Sequence, residues 1–114
     1  MQHLKTIPAS TPTFHRRVYE QLLTVPRGKV TTYGDLAHAL NSAAYRAVGQ
    51  ALRNNPCAPN VPCHRVVSSD GRIGGFNGQR EGPDVTRKIA LLAAEGVQVT
   101  NGRIDLARHR HDFF

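Results

Sequence analysis

The segment Pro62-Cys63-His64-Arg65-Val66-Val67 holds the residues of this chain best suited to chemistry. A thiol attacks an electrophile only as its thiolate, and a neighbouring imidazole, arginine or helix terminus makes that deprotonation easier. In an extended strand adjacent side chains point to opposite faces. His64 therefore reaches Cys63 only if the segment bends or a water bridges the pair, and Pro62 favours the bend. The imidazole in turn needs an orienting carboxylate. Among eight acidic residues, Glu95 at the end of the last long helix is the best candidate. The residues thus predict a relay from Cys63 through water to His64 and Glu95. The competing reading of Cys63 is a small buried hydrophobe, the commoner fate of a solitary cysteine. Cys57, with Cys63, His64, His109 and His111, matches no zinc-ligand spacing, so no metal is expected. Two cysteines without an apolar leader read as reduced thiols.

The charge balance narrows the partner. Lys and Arg number 15 against 8 Asp and Glu, a formal charge of +7. Twelve of the 15 are Arg, whose guanidinium fork suits phosphates and base edges better than an ammonium does. Nucleic acid is the leading partner class, against the bland alternative of a solvated basic surface. The 114 residues allow one domain with one core. No apolar run approaches the roughly 20 residues of a spanning helix, so a cytoplasmic, nucleoid-associated or nuclear address away from membranes is expected.

The elements that must hold the thiol follow from patterning. Residues 1–13, with Pro8 and Pro12, read as a flexible arm. Phe14, Val18, Leu22 and Val25 recur at helical spacing, which predicts a helix over 14–25 ended by Pro26-Arg27-Gly28-Lys29. Thr32 with Asp35 three residues on resembles a capping box opening a helix over 33–40. Ser42 can cap a third over 43–54, rich in small residues and bearing Arg46 and Arg53. Two short helices joined by a tight turn form a helix-turn-helix, unless the small residues serve only close helix packing. Four glycines within 71–78 lack the lysine and flanking elements of a phosphate loop and read as a turning or mobile rim. Pro83 opens a helix to Ala94, Gly96 suits its C-terminal cap, and 97–104 read as a hairpin. The body ends at 108, and 109–114 read as a solvated tail.

Four segments occur in order: Tyr33-Gly34-Asp35-Leu36-Ala37; Arg46-Ala47-Val48-Gly49-Gln50-Ala51-Leu52-Arg53-Asn54-Asn55-Pro56; Pro62-Cys63-His64-Arg65-Val66-Val67; and Leu92-Ala93-Ala94-Glu95-Gly96. Together they resemble the C-terminal active-site domain of the O6-alkylguanine-DNA alkyltransferases over residues 14 to 99. The resemblance implies a mostly α fold with short β strands, winged-helix-like and containing the helix-turn-helix. It implies a monomer that binds the minor groove of double-stranded DNA, flips O6-alkylguanine and moves the alkyl group irreversibly to Cys63, with no metal or cofactor. His64 would act through water as the base and Glu95 would orient it. Tyr33 would bear on the 3′ phosphate, Arg46 would replace the extruded base, and Ala47, Gly49 and Arg53 would share the DNA face. Tyr33, Asn55, Val66, Phe76, Asn77 and Gly78 would line the substrate pocket, with the carbonyls of Cys63 and Val66 facing the guanine edge. Many members carry Tyr and Ser where this chain has Phe76 and Asn77. Its size and the ending Gly102-Arg103-Ile104-Asp105-Leu106-Ala107-Arg108 resemble instead the alkyltransferase-like proteins, which bind alkylated guanine and recruit excision-repair proteins. Those commonly hold Trp or Ala at the cysteine position, where this chain keeps Cys63.

Overall fold

The computed structural model describes residues 7–55, 60–74 and 82–113. Helix α1 spans Thr13–Leu22 and buries Val18, Tyr19 and Leu22, three positions of one stripe. It stops three residues short of the expected end. Thr24 and Val25 donate their backbone N–H groups to the carbonyls of Gln21 and Leu22, tightening the last turn, and Val25 is barred from helical backbone by Pro26. Val25 itself is still fully buried.

Strand β1, Thr31–Thr32, leads directly into α2, Tyr33–Ala39. The Thr32 side chain accepts from the Asp35 amide at 3.0 Å, capping the helix as its sequence suggests. Helix α3 spans Tyr45–Arg53, starting two residues later than expected. Ser42 accepts from the Ala44 amide at 3.0 Å and so closes a turn before the helix instead of capping its first residues. Val48, Ala51 and Leu52 of α3 face α1 and α2, and the Tyr19 hydroxyl donates to the Ala51 carbonyl at 2.6 Å. The expected mostly helical fold with a helix-turn-helix and short strands is what the chain adopts.

A 3₁₀ turn, Cys63–Arg65, runs into β2, Val66–Val67, which pairs in parallel with β1 through Thr31 to Val66 and Thr32 to Val67. The pleat sends Val66 into the core beneath α1 to α3 and Val67 into a second core with Val30, Ile73, Leu92, Val97 and Ile104. Helix α4, Pro83–Ala94, covers that second core with Leu92. Of the hairpin expected over 97–104 only the turn forms, with Asn101 and Gly102 both at positive φ and Thr100 joined to Arg103 by a single bridge. Gly71 is required where this segment docks: at φ +88° a Cβ would lie 2.9 Å from the Ile104 carbonyl oxygen.

Two expectations about the ends are corrected. Of the arm, residues 1–6 lie outside the described residues, but Ile7 is buried in the first core and Arg16 donates to the Pro8 carbonyl at 2.7 Å. Nor is 109–113 a solvated tail. A short helix α5, Leu106–His109, too brief to show a period in the sequence, delivers Arg110 to a parallel bridge with Val30. Arg110 then grips Asp35 of α2 through both oxygens, at 2.7 and 2.6 Å, and Phe113 packs on the first core. Among the described residues no helix is long and apolar enough to cross a membrane.

The Tyr19 hydroxyl fixes α1 against the backbone of α3. Tyr19→Phe is expected to cost about 1 kcal/mol, because the Ala51 carbonyl loses that buried donor. Denaturant unfolding checks this, and an unchanged midpoint would show that the bond contributes nothing.

Candidate functional site

The 3₁₀ turn does what an extended strand could not. With roughly three residues per turn it places Cys63 and His64 about 120° apart around the axis, not on opposite faces. The turn is held by the Arg65 amide donating to the Pro62 carbonyl at 2.9 Å and by the Asn55 side chain donating to the Val61 carbonyl at 2.8 Å. Cys63 and His64 are both buried, at 6% and 2% exposure.

His64 Nε2 lies 3.1 Å from Glu95 Oε2. A carboxylate only accepts, so Nε2 carries the hydrogen and the neutral ring presents a bare lone pair at Nδ1. Among the described residues, Nδ1 is the buried side-chain polar atom left with no hydrogen-bond partner. Burial lowers the His64 pKa despite the opposing pull of Glu95. The imidazole is thus neutral at physiological pH, the form that can take a proton.

Glu95 is shared. Arg65 donates through Nε to Oε1 at 2.8 Å and through its terminal nitrogen to Oε2 at 2.7 Å, and its other arm reaches the Val25 carbonyl at 2.7 Å. Burial alone would raise the Glu95 carboxyl, but the hydrogen bonds from Arg65 and His64 outweigh it and hold the group below its ordinary value. Arg65 stands in the same motif as the thiol, yet its function as a clamp on Glu95 is visible only in three dimensions.

Lys88 is a member of the site that the motifs do not contain. It is 1% exposed on α4, and its ammonium donates to the Val66 carbonyl at 2.8 Å and the Ile73 carbonyl at 2.6 Å. Burial brings its pKa down to about 8, opposed by the Cys63 charge. It remains mostly cationic at neutral pH. The sequence does carry a signal for it: Lys88 falls three and four positions before Leu91 and Leu92, on the apolar stripe of α4, where a lysine needs a reason. Burial also raises the Cys63 thiol, against the lowering by Asn55 and Lys88, so the resting sulfur is protonated. Burial and the Cys63 charge likewise raise the Tyr33 hydroxyl. Tyr33, Asn55 and Lys88 thus act electrostatically with Cys63, and Glu95 is bonded to the neighbouring His64. The Val66 carbonyl expected to face a base already accepts from Lys88, and the Cys63 carbonyl accepts from the Val66 amide. Phe76, Asn77, Gly78 and Cys57 lie outside the described residues.

The outward face of α3 carries the other expected residues. Arg46, Gln50 and Arg53 are exposed, Ala47 and Gly49 half-buried. A Cβ at Gly49 would meet nothing within 4 Å, so packing inside the protein does not demand glycine there.

A family model described as 6-O-methylguanine DNA methyltransferase, DNA binding domain, matches residues 13–97. The chain belongs to that family. The "DNA base-flipping protein" of Escherichia coli is 41% identical over 102 residues, covering 88% of this chain and 75% of that protein. An OGT of Mycobacterium tuberculosis, solved in complex with DNA, superposes with a TM-score of 0.67 at 41% identity, over 75% of this chain and 50% of that one. Atl1 of S. pombe, solved with damaged DNA containing O6-carboxymethylguanine, gives a TM-score of 0.77 at 28% identity, over 88% and 95%. Curated methyltransferase relatives are longer, and the chain spans 31% to 50% of their lengths.

The His64 and Glu95 shifts act on stability in one direction. Both groups bind protons less readily folded than unfolded, so the stability they contribute is complete above 6.5 and is lost as pH falls through their folded values. The denaturation midpoint is expected to decline on acidification from 6.5 downward, and less steeply in His64→Gln over the upper part of that range. A wild-type midpoint that held constant there would contradict the assigned protonation states.

Proposed function

We propose that this protein flips O6-alkylguanine out of duplex DNA and takes the alkyl group onto Cys63, irreversibly and once per molecule. A buried His64 Nδ1 with no hydrogen-bond partner, one residue along the 3₁₀ turn from a buried thiol, is the observation that carries this reading. As the sulfur attacks the alkyl carbon, its proton passes to Nδ1 directly or through one water. The carbon–O6 bond breaks, its electron pair stays on the guanine, and the imidazolium gives its proton up through water as the guanine ring takes one from water, which leaves His64 neutral again. Sulfur gains the alkyl group as a thioether, so atoms and charge balance. Glu95 holds the ring in the accepting tautomer and stabilises the imidazolium. The Lys88 ammonium stabilises the thiolate as it forms. Tyr33, still protonated, donates towards DNA or the base.

The α3 face supports minor-groove binding. Arg46 and Arg53 offer positive charge, with Arg46 as the side chain that enters the stack and Arg53 on a phosphate. Ala47 and Gly49 allow close approach of the backbone. Glycine inside a helix costs about 0.5–1 kcal/mol relative to alanine, and Gly49 returns nothing inside the protein. Clearance for a partner accounts for it. Extruding a base costs a few kcal/mol, which the wedge and phosphate contacts offset.

A second reading is a damage sensor that holds O6-alkylguanine without transfer and recruits excision repair. The likeness to Atl1 over 95% of that chain favours it, whereas Cys63 and its relay favour transfer. The intact mass after incubation with a duplex bearing O6-methylguanine separates the two. Transfer predicts one methyl group on Cys63, slowed about 10²-fold or more in His64→Gln. A protein that binds the duplex and never gains mass is a sensor.

Gly49→Ala tests the face independently. It is expected to stabilise the free protein by about 0.5–1 kcal/mol while weakening binding to duplex DNA. Unchanged affinity would remove α3 from the interface.

A further inference from the structure

Arg72 and Arg103 stand directly opposite each other in an antiparallel bridge. The Ile73 amide donates to the Gly102 carbonyl at 2.9 Å and the Ile104 amide to the Gly71 carbonyl at 2.8 Å, so the ladder bonds flank the pair instead of joining it. This is the narrow, non-hydrogen-bonded kind of pair, in which the two side chains leave the same face at the closest cross-strand separation. Two like charges so placed repel. Both side chains are exposed. Asp70 offsets one of them, with an oxygen 3.4 Å from Arg72 Nε in an exposed pair, and Arg103 has no acidic partner among the described residues. The pair borders a cleft of about 780 Å³ whose other walls include Tyr33, Ser68, Ile73 and Asn101. The cleft thus runs from the guanidinium pair to a residue of the thiol site.

We infer that Arg72 and Arg103 form a phosphate clamp for the DNA strand that passes Tyr33. An anion between two guanidinium groups converts their repulsion into a shared attraction, and the planar fork suits the two free oxygens of a phosphodiester. The clamp lies on the docked segment, away from α3. It gives the duplex a second purchase beside the extruded nucleotide, where the backbone must be held while the base leaves. Gly71 makes this possible, because the bridge forms only if the docked backbone comes as close as its missing Cβ permits.

The inference rests on the reading of the protein as a duplex binder, and salt dependence tests the two separately. Removing one arginine–phosphate pairing lowers the slope of log Kobs against log salt by about 0.9. On an undamaged duplex, Arg72→Ala/Arg103→Ala is expected to lower the slope by one to two such steps, and Arg72→Lys/Arg103→Lys to keep it. The same change on an O6-methylguanine duplex, whose lesion is uncharged, assigns the effect to phosphate and not to the substituent. Both residues are exposed, and losing the exposed Asp70 pair offsets the relieved repulsion, so all variants should remain folded with unfolding temperatures within a few degrees of the wild type. Duplex binding with an unchanged slope in the double alanine variant would overturn the clamp alone. A wild-type protein that bound no duplex would overturn the reading beneath it.

Discussion

The carboxylate of Glu95 is the group on which the rest of the site depends. A charge placed at 9% side-chain exposure must be paired or it neutralises. Arg65 pairs it through two bonds, and His64 takes what acceptor capacity is left. The consequences are mechanical as well as electrostatic. Glu95 caps the end of α4, Arg65 ends the 3₁₀ turn, and the second arm of Arg65 ties the loop after α1 through the Val25 carbonyl. Three segments distant in sequence therefore meet at one ion, and the tautomer of His64 is set by the same ion.

Much of this arrangement is legible in the linear chain, and the rest is hidden for identifiable reasons. The stripe of α1, the Thr32 cap, Pro83 and Gly96 each act within a turn of their own position, so the helices can be placed from local rules. The pairing of Thr31 with Val66 cannot, because two-residue strands carry no period and their register is imposed by the cores on either side. Lys88 escapes a helix pattern because a single charge on an apolar stripe passes for noise. Its carbonyl partners, Val66 and Ile73, are supplied by β2 and the turn after it. The 109–113 segment is polar enough for solvent, yet Arg110 is there to meet Asp35, a partner far away in sequence. In the site, Cys63, His64 and Glu95 can be named from residue type and order, while the clamp of Arg65 on Glu95 emerges only from the folded geometry.

Local economy and purpose diverge at α3. Its buried face follows ordinary packing, with Val48, Ala51 and Leu52 against α1 and α2. Its outer face keeps a glycine that the helix itself would exchange for alanine. A position where stability is given up without a packing return marks where selection has acted on something outside the chain.

The sequence separation of the bonded pairs also sets an order of events during synthesis. Helices α1 to α3 join through neighbours and can pack as soon as they leave the ribosome. The hydrogen bonds around His64 cannot be completed then. Glu95 is 31 residues beyond His64, and the hydrogen bond between His109 and Gly28 bridges 81. A nascent chain thus presents its helix-turn-helix early and completes the hydrogen bonds that set the His64 ring only when the end of α4 arrives. The rate of synthesis past residue 95 therefore sets how long His64 waits for the carboxylate that fixes its ring.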